Sequence, residues 1–466
     1  MRILMVVAEA APYAKVGGLG DVAGALPDAL AELGHEVRVV LPRSPGVMPS
    51  EGARVAWRAP VRWGPGTIDV ACLAEPFAGA PRVEARIVDA APFTTRPLYG
   101  GPDEADRYML LADAAVADIA HDDWRPDIIH AHDWHASPIV LRVQAARATG
   151  APLGRARTVL TIHNMAYQGV REPAFAGWHD LTSTPAPGDV PPSAVNLLGR
   201  ALAAADRVTA VSPTFAWEIT TAEGAFGLDG VLALRPDPPV GIVNGIDTGA
   251  FDPATDPRIP ANFSAMSMEP RVANRAALAR ELGLDVDDHT PIVGVVSRLV
   301  DQKGLDLLLA AAPRMLAAGA RIALLGSGDA ALETAFAELS DADPTRVAAH
   351  IGFDAALAQR IYAGCDVFCM PSRFEPCGLG QLIAMRYGAV PLVRRTGGLA
   401  DTVNDTTGVL FDAPTGAALA TAFDEVMTRF SKPKVWRAMQ RAGMMRDSSW
   451  GASAHRYVEV FEGLAS

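Results

Sequence analysis

The chain has 466 residues, of which half are apolar and a fifth are charged, and its formal net charge is −12 at pH 7. This length exceeds one ordinary hydrophobic core and predicts two domains, and the composition is that of a folded globular protein. The acidic balance argues against a nucleic-acid binder and against a broad basic surface for membranes, although a few local cations suffice to bind a small anionic ligand.

The amino terminus and the cysteines predict the compartment. Met1 and Arg2 lead straight into an apolar strand pattern, so we expect no signal peptide. No apolar run in the sequence has the length of a membrane span. The four cysteines show neither the paired spacing of a metal site nor that of a disulfide framework. These features predict a cytoplasmic protein without a membrane partner.

A glycine-rich loop between a strand and a helix is the first notable feature. The apolar run 2–7 predicts a buried strand, and a helical pattern follows Lys15, Gly17, Gly18 and Gly20. Glycine allows backbone conformations that side chains forbid and lets the chain approach a ligand closely. The helix start offers N–H donors and positive potential to an anion. Because the spacing matches neither G-x-G-x-x-G nor a P-loop, a phosphate site and a purely structural turn both remain open.

The first half alternates apolar strand patterns with alanine-rich helical patterns. This alternation is typical of an α/β domain, in which polar groups follow the carboxyl ends of parallel strands. The Pro- and Gly-rich region 43–102 predicts short extended excursions from the sheet, and region 166–192 predicts a second irregular section. The strands predicted after the first are 37–41, 127–130, 159–163, 207–211 and 240–243.

The second half repeats this organisation. Region 252–271 contains four prolines and predicts a linker. Two Rossmann-like halves joined by a linker predict a cleft, where binding sites commonly form. The predicted strands are 292–296, 321–325, 367–370 and 390–393, and the predicted helices are 304–316, 378–387, 415–429 and 433–445.

A cluster of three histidines spans residues 130–135. The cluster follows a strand end rather than a helix face and lacks a second group at ligand spacing, so a metal site is disfavoured. We favour a loop that presents Asp133, Trp134 and His135 to a polar ligand, with the Trp134 ring stacked on a sugar. A structural cluster of satisfied strand-end groups is the alternative. His163 ends the next strand pattern, where a lone histidine is more often a structural donor than a catalyst.

Two motifs in the second half combine charge with a helix start. Arg298 and Lys303 lie between a predicted strand and helix and can point at one anion, although a solvated pair is the alternative. Glu375 precedes a helix that opens at Gly378, where N–H groups can bind hydroxyls or phosphates and the carboxylate can accept from hydroxyls. Cys377 has no neighbouring histidine in sequence, so a small residue in a tight turn is favoured over a nucleophile.

These motifs occur together and in order, and the chain resembles the bacterial glycogen synthases and the related plant starch synthases. The resemblance covers essentially the whole sequence, and the motifs are highly specific as a set. They are K-V-G-G-L-G-D at 15–21, H-D-W-H-A at 132–136, V-N-G-I-D at 243–247, S-R-L at 297–299, Q-K-G at 302–304, the run 371–379 and T-G-G-L at 396–399.

The resemblance implies an α/β protein of GT-B fold, with two Rossmann-like doubly wound domains facing a deep interdomain cleft. It implies an acceptor-side domain over 1–245, a nucleotide-sugar domain over 246–446 and a helix over 447–466 that crosses back to the first domain. The implied reaction transfers glucose from ADP-glucose to the non-reducing end of an α-1,4-glucan such as glycogen, with retention and release of ADP. It implies no metal and no other cofactor; the oligomeric state is not indicated.

Position by position, the resemblance implies roles for the motif residues. Glu375 would bind glucose hydroxyls with the N–H groups of Cys377 and Gly378, and Phe353 would lie against the base. Cations at the diphosphate would stabilise its developing charge without Mg²⁺. The residues implied to act in catalysis are Glu375, Lys15, Arg298, Lys303, His163 and Asp133. Those implied to bind the nucleotide sugar are Lys15, Gly17, Gly18, Asp21, Asn244, Arg298, Lys303, Phe353, Glu375, Cys377, Gly378 and Leu379, and those implied to bind the acceptor are Trp134 and His135.

Two positions depart from the family's pattern. Gly380 stands where many relatives carry a threonine that assists the distal phosphate, and Ile383 stands where many retaining relatives carry a glutamate for the ribose. Retention without an obvious nucleophile fits a front-face transfer, in which the departing phosphate oxygen helps to deprotonate the acceptor. A double displacement through Glu375 or Asp133 is the alternative.

Other functions remain as alternatives. A transferase of the same fold acting on a lipid would be expected to carry a basic or amphipathic membrane patch, and we find no convincing one; a small sugar is another possible acceptor. A non-catalytic glucan-binding protein would be favoured by loss of Lys15, Arg298 or Glu375, and all three are present. The glycine spacing disfavours an NAD-linked oxidoreductase. The motifs lean towards ADP-glucose over UDP-glucose, although no single residue reads adenine.

Overall fold

The computed structural model describes residues 1–465, which form two compact units. The first unit comprises Met1–Gly245 and the carboxyl-terminal helix that begins at Trp450, and the second comprises Ile246–Ser449. Within the described residues, no helix is long and apolar enough to cross a membrane. The two units are described in turn.

A mixed, mainly parallel sheet forms the centre of the first unit. Its strands are β1 Arg2–Val6, β2 Glu36–Pro42, β3 Arg54–Trp63, β4 Gly66–Phe77, β5 Ala80–Asp89, β6 Ile128–His132, β7 Arg157–Ile162, β10 Arg207–Ala210 and β11 Val240–Gly241, and a separate pair is formed by β8 Val170–Arg171 and β9 Val195–Asn196. The order is β11-β10-β7-β6-β1-β2-β5-β4-β3, and the strands from β11 to β5 run parallel.

Region 43–102 extends this sheet, so its prediction as short excursions is wrong. β5 pairs in parallel with β2, and β4 and β3 add an antiparallel hairpin. Val83, Ala85 and Ile87 of β5 are buried, which fixes the register of that strand against the core. The Pro and Gly residues that dominate the sequence pattern mark the turns between the strands rather than the absence of strands.

Helices cover both faces of the first sheet. They are α1 Gly18–Glu32, α2 Ala91–Thr94, α3 Glu104–His121, α4 Asp133–Thr149, α5 Ala174–Trp178, α6 Leu197–Ala204, α7 Pro213–Glu218 and α8 Asp229–Ala233, with a 3-10 turn at Pro152–Arg155. In α1 the buried side chains of Val22, Leu26 and Leu30 recur at helical spacing and face the sheet. The chain leaves this helix through Gly34, whose φ of 88° suits glycine.

The second unit is a Rossmann-type layer. Its strands are β12 Ile292–Val296, β13 Arg321–Gly326, β14 Val347–Ile351, β15 Val367–Met370, β16 Val390–Arg394 and β17 Val409–Phe411. Its helices are α9 Arg271–Leu282, α10 Leu305–Ala317, α11 Ala330–Ala342, α12 Ala355–Gly364, α13 Gly380–Arg386, α14 Gly397–Thr402, α15 Gly416–Phe430 and α16 Pro433–Met445, with a 3-10 turn at Asp301–Lys303. The parallel order β14-β13-β12-β15-β16-β17 is that of a dinucleotide-binding sheet.

Region 252–271 belongs to the core of the second unit, so its prediction as a linker is wrong. Ile259, Phe263 and Met268 are buried in the same hydrophobic cluster as α9 and α12. Asp256 accepts a hydrogen bond of 2.5 Å from the hydroxyl of Tyr387. The prolines therefore shape turns within a packed segment, and proline content alone does not distinguish such a segment from a flexible connection.

The carboxyl-terminal helix α17, Trp450–Ala465, packs within the first unit against α1. The rings of Tyr457 and Phe461 are fully buried, and their centroids lie 5.2 and 5.5 Å from the His130 ring. Ser453 donates a 2.7 Å hydrogen bond to the carbonyl of Val243. The end of the chain is thus part of the core of the first unit.

Candidate functional site

In the first unit, the polar residues gather where the sheet order switches. β1 pairs with β2 on one side and with β6 on the other, so the loops that follow β1 and β6 flank the crevice outside the strand ends. Ligands of open α/β sheets bind at such a switch point. The glycine-rich loop follows β1, and Asp133 follows β6 directly as the first residue of α4.

The glycines of the loop matter because they lack a side chain and not because they adopt unusual backbone angles. Gly17 caps α1 with φ −136°, an extended conformation open to any residue, and neither Gly18 nor Gly20 has a left-handed backbone. The expected need for forbidden conformations is therefore wrong. A side chain at Gly18 would meet nothing within 4 Å, whereas one at Gly20 would lie 3.2 Å from the Cα of Lys15. Gly18 leaves room at the helix start, and Gly20 lets the loop pack closely.

The polar groups of this loop are paired with carboxylates. The Lys15 ammonium lies 2.6 Å from Asp21 at the surface. The carboxylate of Glu9, which is 2% exposed, accepts the N–H groups of Val16 and Gly17. Sequence reasoning missed Glu9, although a charged residue at the end of an apolar strand and before a glycine-rich loop was an available signal.

Asp133 is held in an uncommon backbone conformation. Its φ is +58°, in the left-handed region. Few residues other than glycine adopt this region, although Asn and Asp do so more readily than the rest. The buried carboxylate accepts N–H groups from His163 at 2.6 Å and Asn164 at 3.2 Å. Burial raises the pKa of Asp133 to about 7 against the opposing effect of these two hydrogen bonds, and the nearby negative charge of Glu9 raises it further. The side chain can therefore exist in both protonation states near neutral pH.

The half-buried His163 lies next to two fully buried imidazoles, those of His132 and His130. Its Nε2 lies 3.0 Å from Nδ1 of His132, whose ring centroid is 4.1 Å from that of His130. Nε2 of His130 lies 2.6 Å from the Thr161 hydroxyl. Burial lowers the pKa of His130 and His163 to about 3 and that of His132 well below its usual value, so all three are neutral. Within residues 1–465, no group of three His, Cys, Asp or Glu side chains is placed to hold a metal ion.

Trp134 and His135 lie inside the first unit. Trp134 is 5% exposed, its ring stands edge-on to Tyr108 at 5.5 Å, and Gly169 packs so closely that a Cβ there would overlap it. This burial leaves little of the Trp134 ring exposed and disfavours its expected stacking on a sugar. The buried His135 ring lies 4.5 Å from Tyr108, and its Nε2 is 3.8 Å from Glu104. The contact of His135 with an acceptor stays a prediction.

In the second unit, a lysine and a glutamate meet between adjacent strands. Lys303 follows β12, Glu375 follows β15, and these strands neighbour each other at the switch point of the sheet. The Lys303 ammonium lies 2.6 Å from the Glu375 carboxylate, which also accepts a 3.0 Å hydrogen bond from the Ser372 hydroxyl. Glu375 is buried, so the site presents a positive group and a hydrogen-bonding carboxylate side by side.

Backbone contacts fix this pair. The side-chain amide of Gln302 donates to the carbonyl of Phe374 at 3.3 Å, and its backbone carbonyl accepts from the N–H of Arg373 at 2.8 Å. Gly304 has φ 62°, and a Cβ there would overlap the carbonyl oxygen of Pro371. The Q-K-G motif therefore requires its Gln and Gly to hold the loop that carries Glu375, a role that sequence reasoning did not assign.

The T-G-G-L motif also contacts the loop that carries Glu375. The N–H of Gly398 donates to the carbonyl of Glu375 at 3.0 Å, and a Cβ at Gly398 would overlap the carbonyl oxygen of Cys377. Cys377 itself is buried. Gly378 has φ 74°, and Leu379 precedes α13 as its N-cap, so the helix begins two residues later than predicted. The loop thus turns its backbone sharply at the residues assigned to glucose.

The remaining predicted residues occupy varied positions. Arg298 is exposed after β12, and Phe353 is 91% exposed after β14. Asn244 is buried after β11. A Cβ at Gly380 would lie 3.1 Å from the Phe368 ring, so the threonine of many relatives would be crowded here. Ile383 is buried in the core of the second unit.

Comparisons with known proteins agree along the whole chain. The family model of the starch synthase catalytic domain matches residues 2–234, and that of glycosyl transferases group 1 matches residues 290–429. A glycogen synthase of Anaeromyxobacter dehalogenans is 44% identical over 492 aligned positions, which cover 100% of this chain and 99% of that protein. A glycogen synthase of Gloeobacter violaceus is 40% identical, with 100% and 99% covered.

Two solved structures are similar to this one. The catalytic domain of starch synthase IV from Arabidopsis thaliana, bound to ADP and acarbose, has a TM-score of 0.89 at 31% identity and covers 99% of this chain and 98% of its own. Sucrose-phosphate synthase from Thermosynechococcus elongatus has a TM-score of 0.65 at 20% identity, with both chains fully covered, and shares the fold.

Two Rossmann-type units with charged loops at the strand ends, together with the matched family models, define a glycosyltransferase of GT-B fold. Within that class, the family is decided by the sequence identity of 40% and 44% to glycogen synthases, which extends over 100% of this chain. The chain belongs to the glycogen and starch synthase family.

Proposed function

We propose that this protein transfers glucose from ADP-glucose to the non-reducing end of an α-1,4-glucan such as glycogen, with retention of configuration and release of ADP. The curated relatives are glycogen synthases, which supports the glucan acceptor, and the similar starch synthase binds ADP, which supports the nucleotide. The expected cytoplasmic location is part of this proposal. The observation in this chain that carries it is the contact of Lys303 with Glu375 at a sheet switch point.

The paired charges suit the two parts of a nucleotide sugar. The Glu375 carboxylate accepts hydrogen bonds and can hold glucose hydroxyls, while Lys303 can turn from it towards the adjoining diphosphate. The exposed Arg298 supplies a second cation after the same strand, β12. Positive charge at the leaving diphosphate stabilises the transition state more than the ground state, which is the contribution that a metal ion makes in other transferases. We propose that the reaction requires no metal.

The surroundings of the two candidate nucleophiles favour a front-face transfer. Glu375 forms an ion pair with Lys303 and accepts a hydrogen bond from Ser372, so its carboxylate already has partners. Asp133 accepts two backbone N–H groups, and its pKa near 7 leaves a large share protonated at neutral pH. Neither carboxylate resembles a free nucleophile. In our proposal, the departing phosphate oxygen therefore takes the proton of the acceptor hydroxyl as the new glycosidic bond forms on the same face.

The test is release of nucleoside diphosphate from ADP-glucose and from UDP-glucose, each with and without glycogen, in EDTA. We expect glycogen-dependent release of ADP, little release of UDP, and no loss of rate on chelation. Release that stops in EDTA would contradict the metal-free chemistry, and preference for UDP-glucose would contradict the choice of donor. No release from either donor would overturn the proposed reaction and direct the search to other sugars and acceptors.

A further inference from the structure

Glu9 lies beneath the glycine-rich loop of the first unit. The Glu9 carboxylate is buried behind residues 15–18, and both of its oxygens lie 3.2 Å from the N–H of Gly17. One of them also accepts the N–H of Val16. Burial raises the pKa of the Tyr99 phenol, and the nearby negative charge of Glu9 raises it further. Glu9 therefore connects the end of β1 to the glycine-rich loop.

Burial of a carboxylate is costly unless its oxygens are well satisfied. Burial indeed raises the pKa of Glu9, while hydrogen bonds from the Val16 and Gly17 backbone oppose that rise. The start of α1 adds positive potential at the same place. An apolar side chain would avoid this cost but would leave the N–H groups of Val16 and Gly17 without their carboxylate acceptor. The arrangement thus stabilises one conformation of the loop.

The contacts of Glu9 also narrow how the loop can bind an anion. The N–H groups of Val16 and Gly17 already have a carboxylate partner, so the unobstructed place for a phosphate lies at Gly18, beside Lys15. Lys15 is paired with Asp21 at the surface, and an arriving diphosphate must replace that partner. The Lys15 side chain can exchange partners productively only if the backbone that carries it stays in place.

We propose that Glu9 is a positioning residue for glucosyl transfer: through the backbone of Val16 and Gly17 it fixes the loop that presents Lys15 and Gly18 to the leaving diphosphate. The inference rests on the proposed function, since it takes the diphosphate role that the family resemblance implies for Lys15. It adds a buried carboxylate that acts on the reaction without touching the substrate, and it places the effect in the chemical step more than in glucan binding.

Glu9→Gln is the principal variant, because it keeps the size of the side chain but removes the charge and replaces one of the two acceptor oxygens with an NH₂ group. We expect kcat to fall about 10- to 100-fold, as for loss of one preorganised group, with KM for glycogen within about twofold. Glu9→Asp keeps the charge but is one methylene too short to reach both N–H groups, so we expect a smaller loss. It also carries the test if Glu9→Gln does not fold.

A matched control separates positioning from general stability. Asp206 also accepts a backbone N–H, from Thr158 at 2.7 Å, but at the start of β7, at the opposite end of the strands. We expect Asp206→Asn to lower the melting temperature and to leave kcat within about twofold of the parent, as for a folded variant altered outside the site. A similar loss of kcat in Asp206→Asn and Glu9→Gln would overturn the positioning role.

Two further measurements make the proposal specific. In a Lys15→Ala background, we expect Glu9→Gln to cause little additional loss, because its effect passes through Lys15; fully multiplicative losses would overturn the proposal. Hydrogen exchange of residues 14–18 should be faster in Glu9→Gln than in the parent protein. Unchanged exchange, or faster exchange with unchanged kcat, would overturn it as well. An inactive parent protein would instead overturn the proposed reaction, and the exchange measurement would still decide whether Glu9 holds the loop.

Discussion

Lys15 and Glu375 are the residues whose charges matter most to the proposed reaction, and both are engaged in ion pairs that a substrate would replace. The Lys15–Asp21 pair is exposed, and such pairs contribute little to stability. We therefore expect Lys15→Ala and Glu375→Ala each to lower kcat by about 100-fold or more while the fold survives. ADP release with glycogen and a circular dichroism spectrum test this expectation. Near-normal rates in both purified variants would contradict the site assignment.

Cys377 lies in the same loop as Glu375, but only its backbone is assigned to the substrate. The thiol is buried, and the sharp turn depends on the neighbouring Gly378 and on Gly398 behind it. We expect Cys377→Ser to retain most of the activity, because serine fits the same space and keeps the backbone donors. Complete loss of turnover in a folded Cys377→Ser protein would instead indicate a chemical role for the thiol.

We expect the titration of Asp133 to determine how kcat/KM falls at low pH. Its pKa of about 7 means that the carboxylate, the form that accepts hydrogen bonds from a sugar hydroxyl, is lost as pH falls through neutrality. We expect kcat/KM to fall with an apparent pKa near 7. Asp133→Asn should be slower and should lose this acid limb of the pH profile. An unchanged limb in Asp133→Asn would assign the titration to another group.

The raised pKa of Asp133 also affects folding stability, which it lowers as pH rises, whereas activity is lowered as pH falls. Because the folded state raises the pKa of Asp133, the folded protein binds this proton more tightly than the unfolded chain does. The contribution of Asp133 is therefore favourable at low pH and is lost as pH rises through about 7. In a comparison of chemical unfolding above and below neutrality, Asp133→Asn should gain stability relative to the parent protein at the higher pH.

At the scale of elements, each unit places its polar groups at the carboxyl ends of the strands beside a switch in strand order. In the second unit, the short 3-10 turn before α10 and the loop after β15 are locked together by Gln302 and by Gly304. The position of the Lys303 ammonium is therefore a property of two elements in contact rather than of one motif.

Gly304→Ala tests this contact. Its left-handed backbone alone costs about 1 kcal/mol with a side chain, and the added Cβ would overlap Pro371. Gly283 has a similar φ of 68° but open space around the missing Cβ, so Gly283→Ala is the matched control. We expect Gly304→Ala to be the less stable in urea and the slower in ADP release. Equal effects of the two substitutions would show that the contact with Pro371 is unimportant.

At the scale of the whole molecule, the chain closes the core of the first unit with its last helix. Tyr457 and Phe461 of α17 are fully buried there, whereas the hydrophobic clusters of the second unit lie entirely within 246–449. We expect the fragment 246–449 to unfold cooperatively on its own, because its core is complete. The fragment 1–245 should melt well below the first unit of the full chain, and a peptide of residues 450–466 should raise its melting temperature. A fragment 1–245 that melts like the full chain would contradict the role of α17.

Much of this protein is determined by local sequence. Apolar runs and turn residues predict most of the parallel strands, since side-chain periodicity is set within a few residues. The predicted strands are β1, β2, β6, β7, β10 and β11 of the first sheet and β12, β13, β15 and β16 of the second. The motifs around Lys15, Arg298, Lys303 and Glu375 predict a phosphate and sugar site, because cations suit phosphates and a carboxylate suits sugar hydroxyls. The similarity in sequence to glycogen synthases adds the reaction.

Only the tertiary structure decided which side chains meet. It places Glu9 under the loop, encloses the Trp134 ring and adds β3 to β5 to the sheet. It also buries Phe263 in a segment that reads as a linker. These outcomes depend on contacts between residues far apart in the chain. Local periodicity shows that a side chain can be buried, but sheet register and packing determine what it is buried against.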